Sequence, residues 1–309
     1  MDKTKIKFVV LSLIAVLALA GCGSNIKGKI YLSSGRFGEY GEPGESRRGI
    51  CVYQNGRVKK LYRHYTKPAP TKDGKKMIAA TMVENKIIVK LIDLMTGKIK
   101  DLEFPHSVSQ FSWFPDNKKI AYIGGDVLNR FDYIANIYLM DLETMQEEQI
   151  TFYKDINRRI FPMVVSPDGK HLLYSIAKGD TDDKLDVVKL INLETRTEET
   201  LPFSAGAFDW SPDGRKIVLY GIYSYKGENE YGPRTIIYDV ATRKYTKLPR
   251  STEDLGEAYY TFSPDGSKIA YIRHEKSGRQ TMWTMNADGT NRKKILDDGY
   301  QLSYLTWTK

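Results

Sequence analysis

Four histidines, two cysteines and one run of carboxylates are the residues best equipped for chemistry in this 309-residue chain. His64, His106, His171 and His274 stand far apart, so they could share a site only if the fold gathered them. No His-Glu-x-x-His or Cys-x-x-Cys occurs, which removes the common zinc spacings, and no Gly-x-Ser-x-Gly elbow marks a serine hydrolase. Asp180, Asp182, Asp183 and Asp186 could hold calcium, but the segment lacks the glycine and terminal glutamate of an EF-hand loop. It reads as a solvated hairpin loop. Gly35, Gly38, Gly41 and Gly44 recur every third residue without proline richness, so they read as a loop and not as a collagen helix. No catalytic residue, metal or cofactor is expected.

The remaining reactive group is the thiol of Cys22. Lys3, Lys5 and Lys7 precede an apolar run from Phe8 to Ala20, broken only by Ser12, and the run ends in Leu19-Ala20-Gly21-Cys22. The run has the length of a signal-peptide core and is short for a bilayer span. Its ending resembles the lipobox of bacterial lipoproteins, which implies cleavage after Gly21 and lipidation of Cys22. Residues 1–21 are then a signal peptide and 22–25 a short tether. The expected location is the periplasmic side of an outer membrane or the outer face of the cell membrane.

With Cys22 lipidated, no intrachain disulfide is expected at Cys51. It lies in the strand-like run Gly49 to Tyr53 and reads as a small buried hydrophobe. The net charge is +9, and it stays positive once residues 1–21 are removed. Lysines and arginines are scattered with no run of four, as on a solvated surface, and no nucleic-acid partner is expected. A monomer is expected.

The elements that must position any site come from a repeat. Pro115-Asp116-Asn117, Pro167-Asp168-Gly169, Pro212-Asp213-Gly214 and Pro264-Asp265-Gly266 each follow an apolar run and precede another, and Asp73-Gly74 is a weaker copy. Proline presets φ, aspartate caps the turn and glycine takes positive φ, so each motif predicts strand, tight turn, strand. A second pair of strands follows around Asp93-Leu94-Met95-Thr96, Asp141-Leu142-Glu143-Thr144, Asn192-Leu193-Glu194-Thr195, Asp239-Val240-Ala241-Thr242 and Asn286-Ala287-Asp288-Gly289. The turn aspartates recur every 43 to 52 residues, the period of a four-stranded propeller blade.

The Ser-Pro-Asp-Gly-Lys-like turn followed by Asp-Leu-Glu-Thr resembles the WD40-like PD40 repeat of TolB-type propellers. That resemblance implies an all-β protein of antiparallel blades and a role as an interaction hub in the cell envelope. TolB-type proteins carry an α/β domain ahead of the propeller, whereas here the propeller is expected within a few residues of Cys22. That departure weighs against a Tol–Pal role.

Tyr304 to Thr308 matches the start of a repeat, and Lys29 to Leu32 matches its continuation. The C-terminal strand is therefore expected to complete the N-terminal blade, leaving no open sheet edge. The expectation is one six-bladed propeller over residues 26–309. Its blades are 26–66 plus 303–309, 70–107, 110–157, 162–203, 207–250 and 258–298.

Chain alternation places the Pro-Asp-Gly and Asp-Leu-Glu-Thr turns on one face. The long connections Ser33 to Arg48, Gly124 to Ala135, Thr151 to Phe161, Ile176 to Leu185, Ile222 to Arg234 and Arg250 to Ala258 emerge on the other. Those loops mix Arg36, Tyr40, Arg130, Tyr133, Arg158, Arg159, Tyr223, Tyr225 and Arg234, residue types that carry binding energy at interfaces. The leading expectation is a non-catalytic lipoprotein whose looped face docks an envelope protein. The alternative is a carbohydrate-binding or lyase-type propeller acting on an acidic polysaccharide, which would need histidines and carboxylates converging at the channel mouth.

Overall fold

The computed structural model describes residues 26–36, 49–83, 86–127, 133–156, 159–177, 186–223, 234–249, 254–297 and 300–309. The described residues form six four-stranded antiparallel sheets. Blade one runs from the axis outward as β24 (Tyr300–Thr308), β1 (Lys29–Arg36), β2 (Gly49–Gln54) and β3 (Arg57–Arg63). Blade two is β4 (Tyr65–Pro70), β5 (Lys76–Val83), β6 (Lys86–Asp93) and β7 (Ile99–Leu102). Blade three is β8 (Ser107–Trp113), β9 (Lys119–Val127), β10 (Tyr133–Asp141) and β11 (Glu147–Gln149). Blade four is β12 (Ile160–Val165), β13 (His171–Ile176), β14 (Val187–Asn192) and β15 (Glu198–Thr200). Blade five is β16 (Phe203–Trp210), β17 (Lys216–Tyr223), β18 (Arg234–Asp239) and β19 (Tyr245–Lys247). Blade six is β20 (Asp254–Phe262), β21 (Lys268–Glu275), β22 (Gln280–Asn286) and β23 (Lys293–Leu296).

The fold is the expected closed six-bladed propeller. β24 pairs antiparallel with β1, from Lys29 opposite Thr308 to Arg36 opposite Tyr300. The innermost strands begin a few residues ahead of the recognisable repeat, at Tyr65, Ser107, Phe203, Asp254 and Tyr300. Several of these leading residues pack into the cores between blades, among them Val108, Phe203, Ala205 and Leu302.

Apolar side chains collect between neighbouring blades. One cluster joins Ile78 and Val89 of blade two to Phe111 and Ile120 of blade three, and another joins Ala270 and Met282 of blade six to Leu32 and Trp307 of blade one. Second strands are covered on both sides, which is why Leu172 to Ile176 is buried without alternation. Outer strands such as Glu147–Gln149 meet solvent and are polar. Cys51 is buried in this packing.

The turns work as their residues suggest. In blade five the Ser211 hydroxyl donates to Asp213 Oδ1 at 2.6 Å, and the Arg215 and Lys216 amides donate to Asp213 Oδ1 and Ser211 Oγ at 3.1 and 2.8 Å. Blade three keeps the turn with Asn117 at φ 55° in place of glycine. Gly169 shows what glycine adds: a Cβ there would approach Pro115 of the preceding blade to 3.2 Å, at φ +72°. The turns therefore pack around the ring as well as closing their own hairpins.

Asp265 makes this turn sensitive to acid. Bonds from the Ser263 hydroxyl, the Ser267 amide and the Ser267 hydroxyl hold its carboxyl down at about 2. The Ser211 hydroxyl likewise holds Asp213 below the usual carboxylate range. The folded-state value lies below the unfolded one, so this stabilisation is present above the unfolded pKa and is lost as pH falls through the folded value. Thermal melts should show the midpoint falling between about pH 4 and pH 2. Asp265→Asn should flatten that fall; an unchanged profile would remove Asp265 from the account.

Candidate functional site

Two features of the scaffold could meet a ligand: the central channel and the looped face. The channel encloses about 570 Å³ and is lined by all six innermost strands. Each of these strands slips register against its neighbour at the same level. The slips fall between Thr66 and Ala69, Val108 and Gln110, Ile160 and Met163, Ala205 and Ala207, and Ala258 and Thr261, and on β24 between Ser303 and Thr306. A bulge leaves its extra residue outside the ladder and re-aims its side chain. Lys67, Phe161, Gly206, Tyr259 and Tyr304 occupy these positions and line the channel. Lys67, Tyr259 and Tyr304 adopt φ of 53°, 52° and 56° there.

Towards the short-turn end the same strands are latched together. Ser112 Oγ accepts the Val165 amide at 2.9 Å, Asp209 Oδ2 accepts the Phe262 amide at 3.1 Å, and Thr261 Oγ1 accepts the Trp307 amide at 3.0 Å. Each bond runs from one blade to the next. Lys72 Nζ adds a charge partner for buried Asp209 at 3.4 Å, so the acids at this end of the channel are already engaged. This latch position went unread in the sequence, although Ser112-Trp113, Asp209-Trp210 and Thr261-Phe262 each place a small polar residue before an aromatic one.

The histidines do not converge. Among the described residues none lines the channel, and no cluster of His, Cys, Asp and Glu could hold a metal ion. His106 instead stacks on Tyr138 at 4.3 Å between ring centroids, with Nδ1 2.8 Å from Asp126 and Nε2 3.4 Å from Glu147. His274 lies on β21 beside Gln280, where burial lowers its pKa.

On the looped face the strands run further than the sequence suggested. Arg36, Tyr133, Tyr223 and Arg234, expected on loops, belong to β1, β10, β17 and β18. The Gly124-Gly125 pair permits the extension in blade three. A Cβ at Gly124 would meet the rings of Tyr122 and Tyr138 at 2.9 Å, so only glycine lets the hairpin continue under them. Tyr133 is half-buried and packs on the core between blades three and four. Arg159 is exposed, 3.9 Å from Asp186, whose carboxyl burial raises while Arg159 pulls it the other way. Cys22, Tyr40, Arg130, Arg158 and Tyr225 lie outside the described residues, as does the acidic run Asp180 to Asp183.

The most prominent residues of this face were missed in the sequence. Phe152 is 70% exposed and Ile156 54%, both in the connection from β11 to β12. The connection is held from below by buried Asn136, whose Oδ1 accepts the Thr151 hydroxyl at 3.0 Å and the Tyr153 amide at 2.7 Å, and whose Nδ2 donates to Tyr153 O at 3.1 Å. Thr151 and Tyr153 point inward and are bonded, and Phe152 between them points out. Nothing in a short polar-aromatic segment announces such a latch, because Asn136 sits 16 residues earlier on β10.

The chain enters the ring on the opposite face. Lys29 pairs with Thr308, and the amide of the next residue, Lys309, donates to Lys72 O in the first turn of blade two at 3.1 Å. The Trp307 indole donates to Lys27 O at 2.9 Å. No helix among the described residues is long and apolar enough to cross a membrane.

No known family profile matches the chain. Over 90 residues it is 36% identical to the Tol-Pal system protein TolB of Anaeromyxobacter dehalogenans strain 2CP-C, a match covering 29% of this chain and only 18% of that protein. Its structure is similar to TolB from Acinetobacter baumannii, with TM-score 0.71 and 21% identity over 92% of this chain and 67% of that one. An oligogalacturonate lyase in complex with manganese shares the fold more distantly, with TM-score 0.57 and 13% identity over 81% of this chain and 71% of that one. With six four-stranded blades closed by its own last strand, the chain is a six-bladed β-propeller similar in fold to TolB.

Proposed function

We propose that this chain is a non-catalytic lipoprotein of the cell envelope, anchored through Cys22, whose propeller docks a protein partner on its looped face. The observation that carries the reading is Phe152 and Ile156, both exposed on the connection from β11 to β12, where Asn136 bonds the residues on either side of Phe152. Large apolar side chains held out in water by a bonded backbone are an interface signature, and a preformed surface spares the ordering cost of binding. Exposed Arg159 sits next to them in the chain. The N-terminal tether supports the same arrangement, because residues 27–29 lie on the short-turn face. A membrane on that side leaves the looped face to the partner. The similarity to TolB points to the envelope and to a scaffolding role.

The test is affinity capture from detergent-solubilised envelope with three baits. Wild-type protein and an Arg243→Glu variant on the short-turn face should recover the same partner. The Phe152→Asp/Ile156→Asp variant should recover at least ~10-fold less, as expected when central apolar contacts are lost. Equal recovery by all three baits would remove the looped face from consideration. Cys22→Ser should abolish palmitate labelling and release the protein from the membrane fraction. Retention with undiminished labelling would refute the anchor.

A further inference from the structure

We infer that the mouth of the central channel binds a carboxylate-bearing sugar, with the carboxylate on Lys67 Nζ and the ring faces against Phe161, Tyr259 and Tyr304. The inference is separate from the protein-docking reading and rests on the bulge ring.

Lys67 is half-buried in the channel wall, and among the described residues no carboxylate forms an ion pair with it. An ammonium withdrawn from water without a counter-charge is unfavourable, and burial lowers its pKa accordingly. A propeller wall could avoid that cost with almost any other residue. The acids at the far end of the channel do not relieve it, since Asp209 is bonded to Lys72 and two backbone amides, and Asp73 is bonded to Thr71, Lys75 and Asn117. An anion arriving from the looped side therefore meets Lys67 first.

The neighbouring bulges decide which anion. Phe161 and Tyr304, from opposite blades, stand edge to face with centroids 6.4 Å apart, and Tyr259 and Tyr304 are tilted at 5.4 Å, so three rings meet across the axis and form an aromatic floor at the level of Lys67. A single ammonium suits one carboxylate, and among the described residues no arginine lines the channel to clamp a phosphate. Aromatic faces beside a single charge suit a ligand with an apolar face and an acid group, which describes a uronic acid. Beside the rings the wall is open: at Gly206 an added Cβ would meet nothing within 4 Å, and the cavity falls in the usual range for small-ligand sites.

Titration calorimetry on the full chain in detergent would use three pure probes: glucuronate, glucose and inorganic phosphate. Glucuronate should bind saturably at one site, and glucose and phosphate should each bind at least ~10-fold more weakly. Lys67→Met should bring glucuronate down to the level of glucose. Gly206→Phe, whose backbone φ lies outside the left-handed region, should fill the lumen and abolish binding while melting like wild type. The inference fails if glucuronate binds no better than glucose, if phosphate matches it, or if both variants bind it normally. None of these outcomes depends on capture of a protein partner, so the two readings can fail independently.

Discussion

Trp307→Ala is expected to destabilise the propeller by about 3–5 kcal/mol, the range for deleting a large buried aromatic. Trp307 is 1% exposed in the core between blades six and one. Its amide donates to Thr261 Oγ1 of blade six and its indole to Lys27 O at the start of blade one, so one residue joins both ends of the chain to the neighbouring blade. The loss combines a cavity with an unpaired carbonyl at Lys27. Trp307→Phe keeps most of the apolar volume and loses only the indole bond, so it should cost about 1–2 kcal/mol. Urea unfolding of the three proteins would measure both steps. A Trp307→Ala loss below about 1 kcal/mol would mean that closure is held elsewhere along β24. Opening the closure would also expose the β1 edge, so the variant should self-associate at concentrations where wild type does not.

The second large effect is expected from Arg292→Met. Glu257 is almost fully buried on β20 and is held by Arg292 Nη1 at 2.8 Å, the Tyr260 hydroxyl at 2.6 Å and the Thr235 hydroxyl of blade five. Removing the guanidinium leaves a buried carboxylate without its counter-charge, which costs about 3–5 kcal/mol in comparable sites. The neutral hydroxyl donors soften this, so about 3 kcal/mol is expected. The charge itself is the cause, and that can be tested. Arg292→Met/Glu257→Gln should be clearly more stable than Arg292→Met alone, because the orphan charge is gone. If the double variant is no more stable than the single one, Arg292 contributes through packing over Tyr271, where its guanidinium lies 5.9 Å from the ring centroid.

Much of the ring was readable in advance because its information is local. Ser263-Pro264-Asp265-Gly266 specifies a turn by the φ preference and side-chain bonding of four consecutive residues, and five such turns in phase specify blades. The closing strand was readable for the same reason, since Trp307 and Ile30 match adjacent parts of one repeat. The looped face was only partly readable. Arginines and tyrosines in long connections read as surface residues, but Tyr133 packs on the core and Tyr223 continues a strand.

What the sequence alone determined was the repeat, and with it the strand order, the closed ring and the opposite placement of short turns and long connections. Those follow from rules that act within a few residues and then recur. What only the tertiary structure decided was where chemistry could occur. The bulges that aim Lys67, Phe161, Tyr259 and Tyr304 into one channel mouth come from strands in four different blades, up to 237 residues apart. The latch on Asn136 that holds Phe152 outward likewise spans two elements. Such sites are set by the register between strands and by the meeting of blades around an axis. The bulge positions recur with the blades, but the residues that fill them differ, Tyr259 and Tyr304 excepted, so no shared motif marks them in the chain.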